Sequence, residues 1–288
     1  MLKNLNQVKT GYTHAGVFHA DDVFSAALLQ IINPEITISR TLTPPEDRDD
    51  IIVFDIGMGL YDHHQPDRAA RDMADGYWID RANGGEVKPL PYCAFGLLWR
   101  DYGRLLCPSQ KAWKKVDRDL VLPIDKADNG VCGSQLANAI GSFNPAWDAV
   151  EADPNECFLQ ALSVAAPILG NFIARANAEA KAESIVLSSR VVEDRILVLD
   201  RYMPWQDTVI EQLPDILYVV FPSNHGGYNV QTVPSTPGSF TPRKGFPQEW
   251  LGHPDASLGM TFCHPGNFLL SAETENQAIA ISRIAVKA

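Results

Sequence analysis

Four of the seven histidines in this 288-residue chain stand between Thr13 and Gln65, interleaved with acids. The runs are Thr13-His14-Ala15-Gly16-Val17-Phe18-His19-Ala20-Asp21-Asp22, then Phe54-Asp55-Ile56-Gly57, then Asp62-His63-His64-Gln65. His14, His19, Asp21, Asp55, His63 and His64 are thus candidate metal ligands. Imidazole and carboxylate without thiolate suit Mn²⁺, Mg²⁺ or Zn²⁺ that keep bound water, and suit neither a structural zinc site nor an iron-sulfur cluster. Two such ions about 3.5–4 Å apart can share a carboxylate, acidify a bridging water and stabilise both the attacking and the leaving oxygen of a displacement at phosphorus. A hydrolytic centre is the natural use of this set.

Those side chains need elements that bring them together. Residues 11–13 lead into a turn at Gly16, and residues 23–32 are apolar on almost every face, which predicts a buried helix whose first turn an acid can cap. A short strand is expected over 36–39. The β-branched and aromatic run over 51–54 reads as a strand buried on both faces of a parallel sheet. Ligand sites in open α/β sheets lie beyond the carboxyl ends of strands, where His14 and Asp55 both fall. The predicted class is therefore α/β, with a mainly parallel sheet flanked by helices.

Residues 67–91, with Asn83-Gly84-Gly85 among them, read as an irregular loop able to cover the site. Helical patterning returns over 92–100 and over 110–122, where Pro123 is expected to end it before Asp125 and Asp128. An Ala-rich helical stretch over 156–190 contains Pro167, which should kink or split it. Beyond it, 195–199, 216–221 and 228–233 read as strands and 274–284 as a closing helix. Two domains follow from this texture: a metal-binding catalytic domain over 1–185, and a smaller β-rich α+β substrate-binding domain over 190–288.

A net charge of −11 argues against a protein that coats a nucleic acid duplex, since such binding is driven by Lys and Arg releasing counterions. An enzyme that engages one strand end stays compatible, because carboxylates gathered around cations are neutralised locally. Five cysteines, odd in number and without a C-x-x-C pair, read as reduced and mostly buried. The first residues lack an apolar signal core, and no run looks apolar enough for a membrane span. A cytoplasmic protein with no membrane partner is expected, and self-association into a homo-oligomer is left open.

The order of these motifs resembles the DHH phosphoesterase superfamily, and within it most resembles the melanocyte-proliferating-gene exonuclease family. The likeness rests on the three runs above, supported by Ala94-Phe95-Gly96-Leu97-Leu98-Trp99-Arg100, by Asp125 and Asp128-Asn129-Gly130, by Phe221-Pro222-Ser223 and by Phe262-Cys263-His264-Pro265-Gly266. It implies a DHH-like catalytic domain and two divalent cations, Mn²⁺ foremost and Mg²⁺ or Zn²⁺ next. By the same resemblance, His14, His19 and Asp55 would hold one cation. Asp21, Asp55, His63 and Asp128 would hold the other, with Asp128 favoured over Asp125. His64 would face the scissile phosphate, and Asp62 would orient a neighbouring histidine. The chain departs from many superfamily members in having His19 where they carry Asp.

The implied activity is a metal-dependent 3′-to-5′ exonuclease acting on single-stranded RNA or short oligonucleotides. Arg243 and Lys244, after a Pro-rich loop, could clamp a phosphate, and His264 could contact substrate. Asp22 divides between capping its helix and supporting the site. Two other readings keep the same centre: a pyrophosphatase or small-phosphoester hydrolase, and a metal-holding interaction protein without turnover.

Overall fold

Strand β1 (Thr10–His14) is the middle of a three-stranded sheet, with β2 (Thr37–Thr41) on one side and β3 (Ile51–Val53) on the other, both parallel to it. Because all three strands run the same way, their carboxyl ends share one edge. His14 ends β1 there, and Asp55 follows β3 by two residues. The computed structural model that shows this describes residues 2–81 and 84–288. Asn83, expected in a loop, lies outside the described residues.

Helix α1 (Ala20–Ile32) connects β1 to β2, and its Val23, Phe24, Ala27 and Leu28 are fully buried. Phe24 meets Phe95 of α2 (Ala94–Leu106) at a ring separation of 5.5 Å. Gly11 lets the layers close up, since a side chain there would press on Ile38, Phe54 and Leu29.

Several expectations need correction. The stretch 67–91 is not wholly irregular: it holds an antiparallel hairpin of β4 (Tyr77–Asp80) and β5 (Glu86–Pro89), its pairing supported by Lys88 on Asp80. The helix expected to end at Pro123 carries on: α3 (Gln110–Val116) passes through a π-helical turn at Asp117–Val121 into α4 (Leu122–Asp128). Pro123 lies where the π-helical turn passes into α4, and an irregular turn of this kind is where a helix can take in a residue without an N–H. After α5 (Gln135–Gly141), helix α6 (Pro154–Ser188) runs through Pro167 as one element. By length and composition alone α6 could cross a bilayer, contrary to the expectation that no segment could. Its buried residues Phe158, Ala161, Leu162, Ala165, Leu169 and Ile173 form a one-sided stripe, the pattern of a helix that lies against a protein core.

The chain divides into two compact units, Met1–Asn177 and Ala178–Ala288, with the boundary inside α6. The second unit is built on a six-stranded mixed sheet in the order β10 (Met260–Cys263), β11 (Leu269–Ala272), β9 (Tyr228–Thr232), β8 (Tyr218–Pro222), β7 (Ile196–Val198), β6 (Arg190–Val192). Successive side chains of a strand point to opposite faces. Ile196, Val198, Val220 and Val230 therefore pack with Ile281 and Ala285 of α8 (Glu275–Lys287), whereas Leu197 and Val219 pack with Val186 and with Val209 of α7 (Gln206–Gln212).

Truncating Phe24 leaves a cavity where α1 meets α2. We expect Phe24→Ala to lose about 3–5 kcal/mol of unfolding free energy in a urea titration; a loss under about 1 kcal/mol would show that this contact does not anchor the first unit.

Candidate metal centre

Asp55 sits at the sheet edge in a left-handed backbone conformation, φ 55°, which aspartate tolerates better than most residues. The bend opens a loop that closes again when Asp55 N–H donates to the Tyr61 carbonyl at 2.9 Å. Asp62, His63 and His64 follow at once, so one short loop presents both motifs to the same side.

The two oxygens of Asp55 face different partners. Oδ2 lies 3.2 Å from His14 Nε2, and Oδ1 lies 3.1 Å from His63 Nε2. His63 Nε2 is also 3.3 Å from Asp128 Oδ2 and 3.6 Å from Asp21 Oδ2. Thus His63, Asp55, Asp128 and Asp21 gather as the resemblance implies. His19 is placed differently from that implication: its ligand atom groups with Asp21 and Asp128, whereas the group around His14 and Asp55 is completed by Asp22.

Asp22 serves two ends. Its Oδ1 accepts the His19 backbone N–H at 3.0 Å, capping α1, while Oδ2 faces His14 Nε2 at 3.3 Å. The sequence left Asp22 divided between capping and supporting the site, and the structure shows both contacts, one on each oxygen. Asp125, the alternative to Asp128, is buried elsewhere, on Arg71.

Two further residues fix the loop that carries His14 and His19. Asn144 brackets Phe18, accepting its N–H at 3.0 Å and donating to its carbonyl at 2.8 Å. Arg40 donates to the Gly16 carbonyl and to that of Pro154, with its guanidinium over the rings of Phe18 and Phe158. Neither was marked by any motif.

Electrostatics identify what the residues could hold. Burial raises Asp21, which Asp55 and Asp128 then push further, and burial also raises Asp128. Asp22 is driven up to about 8, chiefly by burial. His14 rises to about 9, first through its hydrogen bond to Asp55. Burial would raise Asp55 too, but the hydrogen bonds from His14 and His63 outweigh it and hold that carboxyl below its ordinary range. Both oxygens of Asp21, Oδ2 of Asp22 and Oδ2 of Asp128 are buried without a hydrogen bond. Buried carboxylate oxygens left without donors fit divalent cations of the hard, oxygen-preferring kind, with imidazoles completing the set.

Beside them, His64 is more than half exposed, and its Nδ1 donates to Asp62 Oδ1 at 2.6 Å. Asp62 also accepts the N–H groups of Met58 and His63 at 2.6 and 2.7 Å, and these bonds offset burial and hold it ionised. His64 Nε2 is left as the nitrogen available to a substrate. A cleft of about 500 Å³ opens next to His19, Asp21 and Asp128, walled by Ile124, Ser134 and Ala137.

In the second unit, Arg243 and Lys244 are not free for phosphate. Arg243 donates to the carbonyls of Val209, Ile210, Leu213 and Ile216 around the end of α7, and Lys244 to that of Val286 near the end of α8. Helix ends leave carbonyls unsatisfied, and these cations serve them. His264 is half-buried, its Nδ1 accepting the Gly266 N–H at 2.9 Å.

Residues 11–286 match the profile of a family described as an uncharacterised protein family (UPF0160), of MYG1 exonuclease type. A MYG1 protein of Schizosaccharomyces pombe is 24% identical, with 95% of this chain and 96% of that protein covered. The MYG1 exonuclease of Homo sapiens is 23% identical, with 94% and 84% covered. Among solved structures, RecJ in complex with Mn²⁺ from Thermus thermophilus is similar with a TM-score of 0.31 and 13% identity, covering 99% of this chain. The match spans 53% of that RecJ chain, about half its length.

Cation binding must displace protons from Asp22 and His14, whose acidities lie near 8 and 9. Raised folded-state values also mean that the metal-free fold holds extra protons. Stability from Asp22 is lost as pH climbs from the ordinary carboxylate range through about 8, and that from His14 between about 6.5 and 9. The melting temperature without metal should fall from pH 6 to pH 9, and Mn²⁺ should raise it more at pH 9 than at pH 6. A Mn²⁺ effect independent of pH in a thermal-shift series would contradict this.

Proposed function

This chain belongs to the MYG1 exonuclease family (UPF0160), and on that premise we propose that it is a 3′-to-5′ exonuclease acting on single-stranded RNA or short oligonucleotides with two divalent cations, Mn²⁺ foremost. The coarser class, a metal-dependent hydrolase of phosphoesters, agrees with the relatives and with the acidic and histidine cluster. The observation that carries the reading is the Asp55 carboxylate, whose two oxygens point to separate ligand groups.

Bound divalent cations supply Lewis acidity: they make water nucleophilic near neutral pH and offset charge on the phosphorus oxygens. His14, Asp22 and Asp55 would hold one, and Asp21, Asp55, His63 and Asp128 the other, with His19 beside Asp21 and Asp128. His64 presents Nε2 on the substrate side: with its proton on Nδ1 the neutral ring accepts a proton at Nε2, and the imidazolium so formed can donate it to a leaving oxygen. Asp62 fixes its ring and favours the proton on Nδ1, as a carboxylate accepts and never donates when ionised. The cleft beside His19 and Asp128 offers room for the strand end.

One feature of the second unit favours an oligonucleotide over pyrophosphate. Phe262 and Phe268 are 43% and 38% exposed, and His264 lies between them with ring separations of 6.0 and 4.3 Å. Exposed rings stack on unpaired bases, a contact pyrophosphate cannot make. The strand β10 that carries Phe262 is a sheet edge, and no acid interrupts the sequence from Met260 to Ala272.

With Mn²⁺ and 5′-labelled RNA, the protein should release mononucleotides and leave a ladder shortened from the 3′ end. The double variant His63→Ala, His64→Ala should lose this activity by at least about 10²-fold. Full activity in that variant would sink the proposal, as would turnover of pyrophosphate alone. Phe262→Ala with Phe268→Ala should raise KM for the oligonucleotide by roughly 5–100-fold with little change in kcat; an unchanged KM would remove the stacking role.

A further inference from the structure

His63 and Asp128 come from distant parts of the chain, yet their facing atoms lie 3.3 Å apart. Their separation has to be set by something other than their own loops. Arg71 follows the His63 segment, and its side chain is almost wholly buried. Its Nε and Nη2 lie 2.6 Å from Asp125 Oδ2, and its two Nη groups donate to the two oxygens of Asp117 at 2.6 and 2.9 Å. Asp125 is on α4, one turn before Asp128.

The surroundings are shaped around this clamp. The Cys93 N–H donates to the other oxygen of Asp125 at 3.0 Å, which ties in the start of α2. Gly96 in α2 leaves the room that Asp125 fills, since a side chain there would overlap its carboxylate. Asn129, next to Asp128, donates to the carbonyls of Pro91 and Asp125 at 3.0 and 2.8 Å. On the other side, the Arg71 N–H donates to the Leu90 carbonyl at 2.8 Å, and the ring of Tyr92 lies 4.8 Å from the guanidinium carbon. The π-helical turn, a form frequent at functional sites, starts at Asp117, so Asp117 and Asp125 close on Arg71 from both sides of it.

We propose that Arg71 is the positioning residue of the cation subsite formed by His63 and Asp128: its guanidinium, shared by Asp117 and Asp125, locks the segment carrying His63 to the helix carrying Asp128. The proposal rests on the reading that this centre holds divalent cations. A planar fork can hold two carboxylates in fixed directions, and an ammonium cannot, so lysine should replace arginine only in part.

Isothermal titration with MnCl2, paired with the electron paramagnetic resonance spectrum of the Mn²⁺-loaded protein, tests this. Wild type should bind two ions with an exchange-coupled spectrum. Arg71→Lys should weaken one of the two by about 10–100-fold, the range typical of residues that orient metal ligands, and convert the spectrum to that of isolated Mn²⁺. Arg71→Met leaves two carboxylates unpaired, which destabilises the fold; the triple variant Arg71→Met, Asp117→Asn, Asp125→Asn removes the charges together, and should fold while showing the same selective loss. Val219→Ala, in the sheet of the second unit, should lower the melting temperature and change neither affinity. A folded Arg71 variant that binds both ions as tightly as wild type, with the coupled spectrum intact, overturns the proposal. A wild type that binds no Mn²⁺ overturns the metal reading and this inference with it.

Discussion

The first unit is organised around a conflict of like charges. Asp21, Asp22, Asp55 and Asp128 are brought close together at the edge of a parallel sheet, away from water, where a charge is costly unless it is paired. Two imidazoles compensate Asp55, and the remaining acids respond by holding protons more tightly. A site tuned only for folding would have replaced them with apolar groups. Their retention makes physical sense where cations supply the missing positive charge, and so the same strain that weakens the metal-free fold is what would make the site bind.

Holding such a cluster demands rigidity from its supports. Parallel pairing on both sides of β1 fixes His14, and the closed loop after β3 fixes Asp55 and the following histidines. Asp22 spends one oxygen on the helix cap, which orients the other toward His14. Arg40 and Asn144 hold the intervening loop from outside, while Arg71 joins the segment after His63 to α4. Beyond this backbone pairing, the supports are charged or amide side chains that satisfy backbone or carboxylate groups. Such sites have to be held to within about 0.5 Å, by side chains that packing and hydrogen bonds lock together.

The chemistry was legible because its signal is local: unlike residue types crowd into short runs, and strand ends can be read from apolar continuity. The α/β class, the strands at 36–39 and 51–54, and the helix after Asp21 could be read in the same way. What the sequence hid is long-range. Asp22 stayed divided between cap and site support because only folding reveals what its second oxygen faces. Arg71 carried no motif, as its partners lie on elements far along the chain. Arg243 and Lys244 looked like phosphate ligands by type, yet helix-end carbonyls claimed their donors. The hairpin of β4 and β5 was masked by Asp, Gly and Arg between short apolar positions, and Pro123 was read as a stop although the helix passes through it after a π-helical turn.

Asp55 remains the test of the whole account, because both ligand groups meet on its carboxylate. Crystals grown with MnCl2, measured at a wavelength where manganese scatters anomalously, locate each ion without reference to any assay. The account predicts two peaks about 3.5–4 Å apart, one on each oxygen of Asp55. A single peak, or two peaks of which neither touches Asp55, would contradict it.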